Sequence, residues 1–189
     1  MKGGTIKRVI TGTARARRLV TLQGDDVRPT TDKVKESLFN IIQFDVEGSL
    51  FLDLFAGCGQ IGIEALSRGA RQAVFVDKSK KSIDVIKQNL KTTGFEKNAS
   101  VVNSDSLAFL SRRAEKYDIV FIDPPYLTGL LQDALERVVP CMSESGIIIC
   151  ESPVKDELPE KVGEFEVFKK YNYGKTMLTT YRIPEGEEE

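Results

Sequence analysis

The chain has 189 residues, 41% hydrophobic and 29% charged, with 27 basic against 28 acidic side chains. That length fits one domain that buries roughly 70% of its unfolded surface. Apolar runs no longer than four residues, such as Ile119-Val120-Phe121-Ile122, exclude a spanning helix. Histidine is absent, which excludes a Ser-His-Asp triad, a Cys-His dyad, His-ligated zinc or haem and an imidazole base.

Any chemistry must therefore run on carboxylates, backbone groups, aromatics and a bound cofactor. The three cysteines, Cys58, Cys141 and Cys150, form no CxxC pair and make a poor disulfide framework. They point to a reducing, cytoplasmic compartment and away from a metal site. No apolar stretch follows Met1 that is long enough for a signal peptide.

Residues 1–24 carry Lys2, Lys7, Arg8, Arg15, Arg17 and Arg18 and no acid, a charge of +6, which leaves −7 for the rest. Clustered Lys and Arg displace counterions from nucleic acid, so this arm is a candidate phosphate-binding surface; a solvated hairpin is the plain alternative. Thr5–Ile10 and Arg18–Leu22 are β-prone runs around a turn. Arg28-Pro29-Thr30-Thr31-Asp32 then predicts a capped helix start, with Val34, Leu38, Ile41 and Ile42 as its apolar face and its end near Phe44.

From residue 49 strand-like runs alternate with helical stretches. The strands are Leu50–Phe55, Ala73–Val76, Ser100–Asn103, Ile119–Ile122 and Ile147–Cys150, with helices near 60–68, 79–93, 105–115 and 128–140. Ile83, Ile86 and Leu90 make the second of these helices amphipathic, with Gly94 as its C-terminal cap. Alternation of this kind predicts an α/β fold with a mostly parallel sheet covered on both faces. Phe165–Phe168 and Met177–Tyr181 flank a turn at Asn172-Tyr173-Gly174, so a hairpin brings one antiparallel strand into the sheet. The expected division is a basic arm over 1–28, one α/β domain over 29–184, and an acidic tail over 185–189.

Asp53-Leu54-Phe55-Ala56-Gly57-Cys58-Gly59-Gln60-Ile61-Gly62 follows the first of these strands and opens a helix. The spacing Gly57-x-Gly59-x-x-Gly62 matches a nucleotide-cofactor turn, although that spacing alone is a weak signal and a structural turn is its alternative. Asp53 closes the strand, where a carboxylate suits a cationic amino group. Asp77 closes the next strand 20 residues after Gly57, the position for ribose hydroxyls. Acids at both places favour a ligand with an amino-acid end and a ribose but no pyrophosphate, which is S-adenosylmethionine. Asp105 follows the third strand, placed either to accept from an adenine amino group or to cap a helix.

Asp123-Pro124-Pro125-Tyr126 closes the fourth strand. The prolines lack N–H groups and hold φ fixed, so the carbonyls are rigidly aimed. Asp123 adds a carboxylate acceptor and Tyr126 a face on which a base can stack. These are the requirements for methylating an exocyclic amine, a poor nucleophile until its N–H groups are accepted and its lone pair is freed from the ring.

The sequence resembles the class I S-adenosylmethionine-dependent methyltransferases with a D-P-P-Y motif, and more closely the bacterial family that methylates the N2 amine of a guanine in 16S ribosomal RNA. The resemblance covers almost the whole chain. It rests on the basic arm, Arg28–Asp32 with Glu36-Ser37-Leu38-Phe39-Asn40, Leu52–Gly57, Glu64-Ala65-Leu66-Ser67-Arg68-Gly69-Ala70 and Asp123–Tyr126. It implies a Rossmann-like, seven-stranded, mostly parallel sheet with a reversed last strand, plus an N-terminal β-hairpin that helps hold RNA.

By position, the resemblance implies that Asp53, Gly57 and Gly59 meet the methionine portion, Asp77 the ribose and Asp105 the adenine. Phe55, Lys78 and Ser106 complete the implied cofactor set. Asp123, Pro124, Pro125 and Tyr126 would hold the target guanine, and Lys7, Arg8, Arg15, Arg17, Arg18 and Arg28 the RNA. The chain departs from the family pattern in having Thr11-Gly12 for Gly-Gly, Ala14-Arg15-Ala16 for Trp-Arg-Gly, and Cys58 for Ser. The partner implied is 16S RNA or the small subunit, without membrane or metal, for a monomer. A DNA adenine-N6 methyltransferase poses the same chemical problem but lacks support from any sizeable target-recognition insertion. A non-catalytic RNA-binding assembly factor and a dinucleotide oxidoreductase are the remaining alternatives.

Overall fold

A computed structural model of the protein describes residues 7–22, 31–112, 115–126 and 128–184. Arg28 and the acidic segment 185–189 lie outside the described residues. The chain opens with β1 (Lys7–Arg8) and β2 (Arg18–Leu19), a two-stranded antiparallel hairpin in which Lys7 lies opposite Leu19. Helix α1 (Asp32–Ile41) starts where Thr31 accepts the Val34 amide at 3.3 Å, the cap expected from Thr-Asp at its start.

Then follow β3 (Leu50–Asp53), α2 (Gln60–Ser67), β4 (Gln72–Asp77), α3 (Lys80–Thr93), β5 (Ala99–Asn103), α4 (Ser106–Leu110), β6 (Tyr117–Ile122) and α5 (Leu130–Val138). The chain ends with β7 (Met142–Pro153), β8 (Lys161–Val162), β9 (Phe165–Tyr173) and β10 (Thr176–Arg182). The large sheet has the order β5-β4-β3-β6-β7-β10-β9-β8. Strands β3 to β7 are parallel where they pair, and β10 enters antiparallel between β7 and β9. Seven strands with a reversed last strand therefore hold, and the two-residue β8 adds an eighth at the edge.

Strand residues alternate between the two faces, as a period of two requires, except where the register shift at the start of β6 puts Tyr117 on the same side as Val120. Phe51, Phe75, Ile119, Phe121, Ile147 and Ile149 pack with residues of α1, α2 and α3. Leu50, Leu52, Val74, Val76, Val120, Ile122, Ile148 and Cys150 pack with residues of α4 and α5. Val9, Ala14 and Leu19 of the arm belong to the first of these cores, so the arm is docked on the sheet's α1–α3 side. Among the described residues no helix is long and apolar enough to cross a membrane.

Candidate active site

The acidic residues singled out in the sequence gather at one end of the sheet. In register Asp53 lies beside Phe75 on β4 and Phe121 on β6, so Asp77 and Asp123 each stand two residues beyond its level. Asp77 lies beside Asn103, the last residue of β5. Strand β3 has β4 on one side and β6 on the other, which makes the gap between β3 and β6 the point where the chain's winding reverses. Open α/β sheets bind ligands outside the strand C-termini at that point.

The glycine turn is fastened to this end by the two acids flanking it. Asp53 is 2% exposed, and its Oδ2 accepts the Gly62 amide at 3.0 Å. Asp77 Oδ2 accepts the Gly57 amide at 2.9 Å while Oδ1 accepts the Ser79 amide at 2.8 Å. Gly57 and Gly59 have φ of +55° and +78°, values that side chains other than glycine's adopt at a cost. A Cβ on Gly57 would meet nothing within 4 Å, so its backbone is open to a ligand. At Gly62, by contrast, a Cβ would stand 2.3 Å from the Phe75 ring, so this glycine serves close helix–sheet packing.

Both acids thus do more than the sequence assigns them: they shape the loop as well as charging it. Burial pushes the Asp53 carboxyl up to about 7; the Gly62 amide opposes this, and the nearby negative Asp77 adds to it. Asp105 caps α4 through Oδ1, which accepts the Ala108 amide at 3.0 Å, and the residue itself is exposed at the end of the sheet. Ser106 is buried and donates its hydroxyl to the Leu54 carbonyl at 2.8 Å, tying α4 to the end of β3. Phe55 is half-buried against the α4–α5 core and Lys78 is exposed.

Asp123 follows β6 directly. Pro124 is buried, Pro125 exposed, and Asp123 and Tyr126 are half-buried. The Thr128 hydroxyl donates to the Pro125 carbonyl at 2.7 Å, which holds the loop after the second proline. Among the described residues no cluster of three or more His, Cys, Asp or Glu side chains could hold a metal ion.

On the arm Arg8, Arg15, Arg17 and Arg18 are exposed, as phosphate contacts require. Lys7 corrects the expectation. It is 2% exposed, and burial lowers its pKa while Asp32, Cys58 and Glu151 favour its charge. It points into the protein and does not belong to the outer basic surface.

Sequence reasoning also missed what holds the arm. Glu64 Oε2 and Oε1 accept the Ile10 and Thr11 amides at 2.8 and 2.9 Å, and Arg68 Nε donates to the same Oε1 at 2.9 Å. Lys35 Nζ, fully buried, donates to the Arg8 carbonyl at 2.7 Å and stands 3.9 Å from Glu64. Ser67 accepts the Ala14 amide at 3.0 Å and donates to the Thr11 carbonyl at 2.6 Å. The Glu64–Ala70 stretch that marks the resemblance is therefore the arm's dock. Its one visible signal was a charged residue set among the apolar positions of a helix.

Comparison with known proteins bears on this arrangement directly. The conserved family described as Conserved hypothetical protein 95 matches residues 7–182. The chain is 33% identical to Ribosomal RNA small subunit methyltransferase D of Escherichia coli (strain K12), over 95% of this chain and 92% of that protein. This chain belongs to that family. It is also 41% identical to YlbH of Bacillus subtilis (strain 168), covering 93% of this chain and 98% of the relative. The solved structure of yhhF from Escherichia coli superposes with a TM-score of 0.82 at 32% identity, covering 94% of this chain and 98% of the other. The family's class I methyltransferase-like α/β fold, with its small N-terminal hairpin, is the fold described above.

Proposed function

We propose that this member of the methyltransferase D family transfers a methyl group from S-adenosylmethionine to the exocyclic N2 of a guanine in 16S ribosomal RNA of the small subunit. The observation that carries the reading is the placement of Asp123-Pro124-Pro125-Tyr126 one strand from the Gly57–Gly59 turn, at the reversal point of the sheet. The names of its relatives, ribosomal RNA small subunit methyltransferases, support the substrate.

The residues present fit the cofactor. Gly57 leaves open space above a backbone held by Asp77, and Gln60 Oε1 beside the turn is buried without a hydrogen-bond partner among the described residues. Asp53, Phe55, Gly57 and Gly59 would hold the methionine end, Asp77 and Lys78 the ribose, and Asp105 with Ser106 the adenine. S-adenosylmethionine supplies a methyl on a cationic sulfur, which departs as a neutral thioether.

The protein's own part is to make the amine nucleophilic. Asp123 and the Pro124 carbonyl accept the two N–H groups of the guanine amine, which draws the nitrogen toward tetrahedral geometry and frees its lone pair. Tyr126 stacks on the base and fixes its approach. As the N–C bond forms the amine proton becomes acidic and leaves through Asp123 to solvent, so no imidazole base is needed. Arg8, Arg15, Arg17 and Arg18 hold the RNA backbone, with Arg28 assigned the same role.

Incubation with radiolabelled S-adenosylmethionine and small-subunit particles from a strain lacking the enzyme tests the reading. Label should enter 16S RNA and digest to N2-methylguanosine. No transfer to any RNA, or transfer to duplex DNA instead, overturns it.

A further inference from the structure

One side chain joins the arm to the glycine turn. Asn89 lies on the buried stripe of α3 with Ile83, Ile86 and Leu90, and its own exposure is 0%. Its Nδ2 donates to the Val20 carbonyl and to the Cys58 carbonyl, both at 2.9 Å, and its Oδ1 accepts the Val20 amide at 2.8 Å. The amide orientation is fixed, since reversal would set oxygen against two carbonyls and NH₂ against an N–H. Val20 directly follows the strand that carries Arg18, and Cys58 stands between the two left-handed glycines of the turn. One turn earlier on the same helix, Ile86 Cγ1 lies 3.2 Å from where a Gly59 Cβ would be, so α3 supports the turn by packing as well.

The arm's other docks, on α1 through Lys35 to the Arg8 carbonyl and on α2, are separate. Glu64 and Ser67 bind Ile10, Thr11 and Ala14, and none of these bonds reaches residues 57–59. The arm is thus pinned on three helices, and the α3 pin is shared with the proposed cofactor loop. A buried amide whose donors are both in use cannot let one partner move without weakening its hold on the other.

The geometry points to Asn89 as a positioning residue that couples occupation of the glycine turn to docking of the RNA-binding arm. The inference rests on the functional reading above. A ligand that settles on Gly57-Cys58-Gly59 fixes the Cys58 carbonyl, and through Asn89 it fixes the arm's outgoing strand. Coupling of binding free energies is reciprocal, so RNA on the arm tightens the turn to the same degree.

Amide hydrogen exchange on the native full chain, with and without S-adenosylhomocysteine, tests it. The Val20 amide, bonded to Asn89, should exchange at least about fivefold more slowly with the ligand bound, whereas the Ala14 amide, bonded to Ser67, should not change. Asn89→Asp keeps the acceptor for Val20 but sets an oxygen against both carbonyls. It should abolish the Val20 response and weaken both S-adenosylhomocysteine and RNA binding by about tenfold. Ser67→Ala should weaken RNA binding alone. Ligand that binds while Val20 exchange stays unchanged overturns the coupling and leaves the functional reading standing. Failure of S-adenosylhomocysteine to bind at all overturns that reading and this inference with it.

Discussion

At the scale of single residues, the proposed function gives Asp123 and Asp53 different duties that one substitution at each can separate. Asp123 follows β6 half-buried, where the proposed function sets the acceptor amine. Asp53 is buried and bonded to the Gly62 amide, beside the turn that the proposed function gives to the cofactor. Asp123→Ala should lower kcat by about 10²–10³-fold and leave S-adenosylhomocysteine affinity within about twofold, which titration calorimetry and a methyl-transfer assay read separately. Asp53 gives a pH dependence. Its carboxyl is raised from 3.8 to about 7, so the folded chain holds a proton that the unfolded chain releases, and this group's contribution to stability falls as pH rises through that window. A cationic ligand at that end of the sheet favours the charged carboxylate. Cofactor affinity should therefore rise between about pH 6 and about pH 8, with proton release visible as a buffer-dependent binding enthalpy. Asp53→Asn should flatten that dependence; an unaltered slope would place the titrating group elsewhere.

At the scale of elements, the arm's departures from its family have readable consequences. Ala16, where the family pattern has glycine, has a φ of +67°, the one positive value at a described non-glycine residue. Replacing it with glycine should relieve left-handed strain of about 1 kcal/mol, partly offset by backbone entropy, for a net gain of about 0.5 kcal/mol in denaturant unfolding. Gly62→Ala should do the reverse. Its Cβ would fall 2.3 Å from Phe75, and such overpacking costs about 1–3 kcal/mol, or about 2–4 °C in Tm for each kcal/mol.

The elements themselves were largely legible. Alternating apolar runs indicated a mostly parallel sheet covered on both faces, and the Thr31 and Gly94 caps fell where the residue types indicated. What escaped has physical causes. Strand β7 runs Met142–Pro153 beyond the expected Ile147–Cys150: a register shift against β6 lets the polar residues 143–146 bulge without breaking the strand, and residues 151–153 pair with β10. The third helix of the alternation stops at Leu110, short of the expected 115, and β8 is only two residues long. Of the candidate site, the glycine turn and the D-P-P-Y strand end were visible because local chemistry demands those residue types. The bonds of Asn89, Glu64 and Lys35 to the arm were not, since periodicity shows a polar residue on an apolar stripe without showing which distant backbone it meets.

At the scale of the molecule, the near-zero net charge divides into an outward arginine arm and an acidic strand edge. Arg8, Arg15, Arg17 and Arg18 face solvent, while Asp53 and Asp77 line the edge that would receive a cation. RNA binding should accordingly weaken with salt, and Arg18→Ala should reduce the log–log salt slope by about 1 without altering cofactor affinity. A slope unchanged by that substitution would remove Arg18 from the RNA surface. The absence of histidine agrees with the proposed function, in which proton removal needs aimed acceptors and no imidazole. Mass spectrometry of 16S RNA from a strain lacking the gene tests the central claim most directly. One N2-methylguanosine should be missing, restored by the wild-type chain and not by Asp123→Ala; a fully methylated RNA in that strain, or restoration by the variant, would contradict the account.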